Sequence, residues 1–259
     1  LDVMIKILES NLKENNNIGI VSVKIKENLK EEEDVEIRMI FDIGFGTLEE
    51  FSAFQKIKKE AWDEEDLVYV TRSLLKQYKV YRDLNIFIRD IRPSNIIVRR
   101  DLKGMRFLDF SLAVIEGDNH DENAFEIVGI PKYMSSETLD IVKKAKLKRR
   151  LASQCDLYAI GAVVLSIIPE GEQAANSPQK EYESLINQDR RSSEEMNRVM
   201  QRYPILWKKY LEKLLDNEQN KREEVLGDLQ LEEFFDCGFF KRFSGDFENY
   251  LVQKDFGDR

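Results

Sequence analysis

Histidine is almost absent from this chain of 259 residues, which has one, His120, beside two cysteines, Cys155 and Cys237. A zinc site draws on three or four nitrogen and sulfur ligands at set spacings, so no such constellation is available. Two cysteines decide little about redox setting, and the default is a reducing, intracellular one. Basic excess is also lacking. Lys and Arg number 40 against 49 Asp and Glu, for a formal charge of −9. That sign opposes the basic footprint that nucleic acid or an anionic membrane face requires. The longest apolar stretch, Leu157 to Ile168, falls short of the ~20 residues of a spanning helix and reads as a buried core helix. No secretory signal pattern is visible. These absences point to a cytoplasmic protein whose partners are proteins or small ligands, with no nucleic acid and no membrane.

What the chain does contain is 42% hydrophobic and 34% charged residues, enough for one sizeable core. Residues 18–26 (IGIVSVKIK) and 35–42 (VEIRMIFD) alternate β-branched and polar side chains, which predicts two antiparallel strands joined across the acidic linker Glu31–Asp34. Leu67, Val70, Leu74, Leu75, Tyr78 and Tyr81 recur at helical spacing, with Asp63 as N-cap. Ile96–Val98 and Met105–Leu108 form a predicted hairpin whose turn uses the permissive backbone of Gly104. From Ser153 onward the pattern is helical. A few strands followed by a mainly helical body make an α+β fold. The first residue is Leu1, not Met, so the chain reads as a piece of something longer.

Two acidic loops flank the hairpin: Ile88-Arg89-Asp90-Ile91-Arg92-Pro93-Ser94-Asn95 before it and Leu108-Asp109-Phe110-Ser111 after it. They resemble the H-R-D-x-x-x-x-N catalytic loop and D-F-G metal loop of protein kinases. Further landmarks follow in order. Gly129-Ile130-Pro131-Lys132-Tyr133-Met134-Ser135-Ser136-Glu137 is similar to G-T-P-x-Y-M-A-P-E, Asp156-Leu157-Tyr158-Ala159-Ile160-Gly161 to D-x-Y-S-x-G, and Leu214–Arg222 to the arginine-bearing segment near the end of the large lobe. Upstream, Gly46–Phe51 looks like the start of the helix after the hinge. An Asp and an Asn in a tight loop commonly do no more than bond nearby backbone. Five landmarks in sequence make kinase ancestry the better reading.

The resemblance to the eukaryotic protein kinase superfamily covers about residues 1–240. It implies a small-lobe remnant over residues 1–41, with the end of the regulatory helix at Met4–Leu8 and two strands, and a mainly helical large lobe over 42–259. It further implies that Asp90 accepts the substrate hydroxyl's proton, that Arg92 stands where the family has its loop lysine, and that Asn95 and Asp109 hold magnesium. Phe41, Asp42, Ile97 and Asp109 would line the ATP site, and Arg89, Glu137, Asp156 and Arg222 would be structural. Glu137 and Arg222 are expected to form a buried ion pair, as in the family.

Several departures argue against turnover. The chain contains no G-x-G-x-x-G, and Val21-Ser22-Val23-Lys24 leaves too few residues before the next strand for Lys24 to be the nucleotide lysine. Ile88 replaces His, an apolar exchange that a packing position can absorb. Ser111 replaces the glycine after Asp-Phe, where a side chain restricts φ/ψ. Ile130 replaces a threonine whose hydroxyl links the catalytic Asp and Lys in the family, and Arg92 is no equivalent of that Lys. From Leu112 to Lys132 there is no Ser, Thr or Tyr to phosphorylate. Glu116, Asp118, Asp121, Glu122 and Glu126 supply fixed negative charge there, which Arg89 could meet.

The resulting expectation is a pseudokinase that binds ATP and Mg poorly and works as a structural or docking subunit for a protein partner. The alternative is an active Ser/Thr kinase whose glycine loop and lysine lie upstream. A small-molecule phosphotransferase fits less well, because the activation segment is recognisable.

Overall fold

The structure is a computed structural model that describes residues 3, 6, 20–27, 35–41, 44–59, 62–99, 104–115, 129–135, 152–168, 194–227, 229 and 245–253. The two alternating segments form β1 (Ile20–Glu27) and β2 (Val35–Phe41), antiparallel with Glu27 opposite Val35 and Ile20 opposite Phe41. Among the described residues they make a sheet of their own.

A short strand the alternation did not reveal comes next: β3 (Gly44–Thr47). Its Gly-Phe-Gly-Thr composition carries no period-2 signal and low strand propensity. It forms one edge of a three-stranded sheet, paired with the central strand Ile96–Arg99. The expected hairpin supplies the other two strands, β5 (Ile96–Arg99) and β6 (Met105–Phe107). Gly104 has a φ of +143° and no room for a side chain: one there would come 3.1 Å from Ser73 Oγ, which itself accepts the Met105 N–H at 2.9 Å. Two more short strands, β4 (Ile86–Phe87) and β7 (Val114–Ile115), pair with each other.

Helix α1 (Leu48–Lys58) starts with a capping box: the Glu50 N–H donates to Thr47 Oγ1 at 3.2 Å, and the Thr47 N–H donates to Glu50 Oε2 at 2.9 Å. It stops at Lys59 in the left-handed conformation. Helix α2 (Glu64–Asp83) buries its predicted stripe of Leu67, Val70, Leu74, Leu75, Tyr78 and Tyr81 completely. Asp63 holds the N-cap backbone position, but its side chain makes no capping bond.

The apolar run becomes α3 (Ala152–Ile167), buried from Asp156 through Ile168. That all-round burial is why its sequence shows no polar face. Helix α4 (Glu194–Arg202) leads to a helical run made of Pro204–Leu206, a π-helical turn Trp207–Leu211 and Glu212–Leu214. This run packs against α3 at Gly161, where a Cβ would lie 2.8 Å from Leu214 Cβ. Helix α5 (Gln219–Gly227) follows, and residues 245–253 form α6. The fold is α+β and mainly helical, with α2 and α3 at its centre. Among the described residues no helix is long and apolar enough to cross a membrane.

Candidate functional site

The loop from Ile88 to Asn95 is held from three sides. Behind it, the Asp156 carboxylate at the start of α3 accepts the Ile88 N–H at 2.7 Å and the Arg89 N–H at 2.8 Å. These bonds hold Arg89 at a φ of +67°, a left-handed conformation rare for a residue with a side chain. In front, Gly129 sits so close that a Cβ would meet Arg89 O at 2.8 Å and Asp90 Oδ1 at 3.8 Å, and its own φ is +107°. Below, Ile88 and Ile91 are buried in the core, so Ile88 fills an internal position as its apolar character predicts.

Asp90 and Asn95 are brought into direct contact by the tight turn Pro93–Asn95. Asn95 Nδ2 donates to Asp90 Oδ2 at 2.7 Å and to Asp90 O at 3.1 Å. Arg92 folds back onto the same oxygen, its Nε donating to Asp90 Oδ2 at 3.1 Å. The Leu108 N–H donates to Asn95 O at 3.0 Å, and Ile96 is paired with Phe107. The hairpin therefore places Asn95 and Asp109 at the same end. Asp109 Oδ1 accepts the Ser111 N–H at 2.9 Å. Ser111 keeps a negative φ, so the expected restriction by its side chain does not arise in this conformation.

A model of the protein kinase domain matches residues 11–230. This chain belongs to the protein kinase family. One stretch of 118 residues is 29% identical to the dual specificity protein kinase zak2 of Dictyostelium discoideum, covering 43% of this chain and 17% of that protein. Another, of 100 residues, is 34% identical to the cysteine-rich receptor-like protein kinase 10 of Arabidopsis thaliana, covering 38% of this chain and 14% of that protein. The matched stretches thus span under a fifth of either relative's length.

The kinase family implies magnesium and ATP, and the donor set can be tested against the metal. Asn95 spends its NH2 on Asp90, which leaves Oδ1, and Asp109 keeps Oδ2; neither oxygen accepts a bond among the described residues. An amide and a carboxylate oxygen are the hard ligands magnesium takes, so these residues fit it. They would hold the ion, which when bound supplies neutralisation of phosphate charge. Among the described residues no group of three His, Cys, Asp or Glu forms a metal cluster.

Of the residues expected to line the nucleotide, Phe41 ends β2, Ile97 lies half-buried in β5 over Gly44, and Asp42 falls outside the described residues. Glu137 and the acidic residues from Glu116 to Glu126 also lie outside them. Arg222 is completely buried in α5. Its Nε donates to Asp216 O at 2.6 Å, and its guanidinium stands 5.3 Å from the centre of the Tyr158 ring. Sequence reasoning did not assign Gly129 its part in gripping the catalytic loop. The signal was its place in the G-x-P motif, but only the fold shows what it touches.

Proposed function

We propose that this kinase domain is impaired in phosphoryl transfer and serves as a docking subunit. The observation that carries this reading is the Arg92–Asp90 contact. Asp90 Oδ2 is engaged by both Arg92 Nε and Asn95 Nδ2, so of this carboxylate only Oδ1 is left to act as general base toward an incoming hydroxyl. Arg92 is thereby turned toward the base, whereas the family's loop lysine serves the γ-phosphate. Ile130, 39% exposed beside Gly129, offers no hydroxyl to this network. Poor binding of Mg-ATP belongs to the same reading, as does a cytoplasmic setting.

The full chain, incubated with ATP, magnesium and generic Ser/Thr substrates, should incorporate no more phosphate than its Asp90→Asn variant. Millimolar Mg-ATP should raise Tm by less than ~2 °C, as for a ligand near or below half-saturation. Phosphate incorporation that vanishes in Asp90→Asn would overturn the proposal. It would favour the second reading, an active Ser/Thr kinase, which the free oxygens of Asn95 and Asp109 support.

A protein partner is the other half of the proposal. β1 and β2 pair only with each other among the described residues, and a two-stranded sheet is marginal in water without cover. Amides 20–41 should exchange more slowly in the native assembly than in the isolated chain. Equal protection in both would remove the docking role's main support.

A further inference from the structure

Ser111 stands where the kinase metal loop has glycine, and its hydroxyl has no part in the contacts that hold the two loops together. The turn that carries it is anchored in the core. Phe110 is buried with its ring centre 5.2 Å from that of Tyr81, and its carbonyl accepts the Ala113 N–H at 3.1 Å. Asp109 and Ser111 flank this anchor, the first half-buried and the second exposed. The Ser111 N–H donates to Asp109 Oδ1 at 2.9 Å, so the carboxylate is already drawn toward the residue two places on. Ser111 Oγ itself makes no hydrogen bond among the described residues. Exposure leaves it free to take whichever staggered rotamer a ligand favours.

Two residues is also the spacing by which calcium loops bring successive side-chain oxygens onto one ion. Here the pair is a carboxylate and a hydroxyl. Asn95, whose carbonyl accepts the Leu108 N–H at 3.0 Å beside Asp109, offers Oδ1 from the other loop. Among the described residues three hard oxygens are thus uncommitted at this end of the hairpin: Asn95 Oδ1, Asp109 Oδ2 and Ser111 Oγ. The third one matters because proteins commonly hold magnesium by one or two carboxylates and leave the rest of its shell to substrate phosphates and water. An amide and a carboxylate alone make the ion dependent on nucleotide. A further protein oxygen lessens that dependence.

We propose that Ser111 Oγ is an additional ligand for the divalent cation, forming with Asn95 Oδ1 and Asp109 Oδ2 a site that holds the ion without nucleotide. A glycine has no atom for this role. The inference concerns the metal alone, and holds whether or not the domain binds ATP or transfers phosphate.

Manganese(II) takes the same oxygen ligands as magnesium and loses its free-ion paramagnetic signal on binding, so it serves as the probe. The full chain without nucleotide should bind one equivalent with a Kd of about 0.1–1 mM, the range of weak all-oxygen sites. Ser111→Ala should raise that Kd about tenfold, the low end of what changes around a metal cost. Its metal-free Tm should match the wild type, because residue 111 is exposed. Ser111→Asn returns a neutral oxygen and should restore most of the affinity. Asp109→Asn removes the anionic ligand and should abolish binding. No binding by the wild type at millimolar manganese, an unchanged Kd in Ser111→Ala, no recovery in Ser111→Asn, or binding that persists in Asp109→Asn would each overturn the proposal. So would a loss of affinity in Ser111→Ala that is matched by a fall in its metal-free Tm.

Discussion

Replacing Arg222 by methionine should lower the stability of the domain by about 3–5 kcal/mol, seen as a fall of roughly 10 °C in Tm. Methionine keeps most of the volume, so the loss reports the guanidinium and not a cavity. Arg222 is fully buried, with Asp216 O and Asn217 O as acceptors and the Tyr158 ring against it. Without it two carbonyl groups lose a charge-assisted donor, at about 1.5–3 kcal/mol for each such bond. The expected pairing with Glu137 makes a further prediction. If a Glu137 carboxylate is the remaining partner, Arg222→Met strands it, and adding Glu137→Gln should recover part of the loss. Chemical denaturation of the wild type, both single variants and the double variant decides the matter. A fall under ~1 kcal/mol in Arg222→Met would show that the guanidinium is incidental to the fold.

Asp156→Ala should cost about 2–5 kcal/mol, because it orphans two backbone N–H groups, that of buried Ile88 and that of half-buried Arg89. The damage should centre on the catalytic loop, where Arg89 would no longer be held in its left-handed conformation. The effect also has a pH signature. Desolvation pushes the Asp156 carboxyl up to about 7, outweighing the two backbone N–H bonds and the Arg89 charge, which pull it down. The native state therefore keeps a proton that the unfolded chain releases above its ordinary value of 3.8. This contribution to stability is full below about pH 4 and is lost as pH rises through 7. The margin of wild type over Asp156→Ala should accordingly shrink between about pH 4 and 7. A margin that widens across this window would show that hydrogen bonding, not burial, governs the carboxyl.

Much of the fold was legible because the relevant signals are local. The stripe of α2 repeats every three to four residues, and its six predicted core residues are completely buried. The glycine at 104 takes the backbone its turn requires. Asp63 marks the start of α2 although its side chain makes no cap, since the N-cap preference reflects backbone geometry as well as the bond. β3 was not legible, because four residues with two glycines carry neither alternation nor strand propensity, and its pairing with β5 depends on a partner about fifty residues away. Residues 245–253 fall in the stretch read as helical, but where that helix docks was hidden: nothing local tells that Phe247 enters a notch at Gly46.

By itself the sequence determined the α+β class and the kinase family, and it singled out Asp90, Asn95 and Asp109 as candidates for chemistry, because motif order and hydrophobic period are properties of the chain. Tertiary structure alone decided what those residues touch. Arg92 could have reached outward, yet its Nε lies 3.1 Å from Asp90 Oδ2. Asp156, sixty-six residues further on, supplies the acceptors that shape the catalytic loop. Such contacts are set by how helices and sheets pack, and a spacing along the chain carries no record of a distance across it.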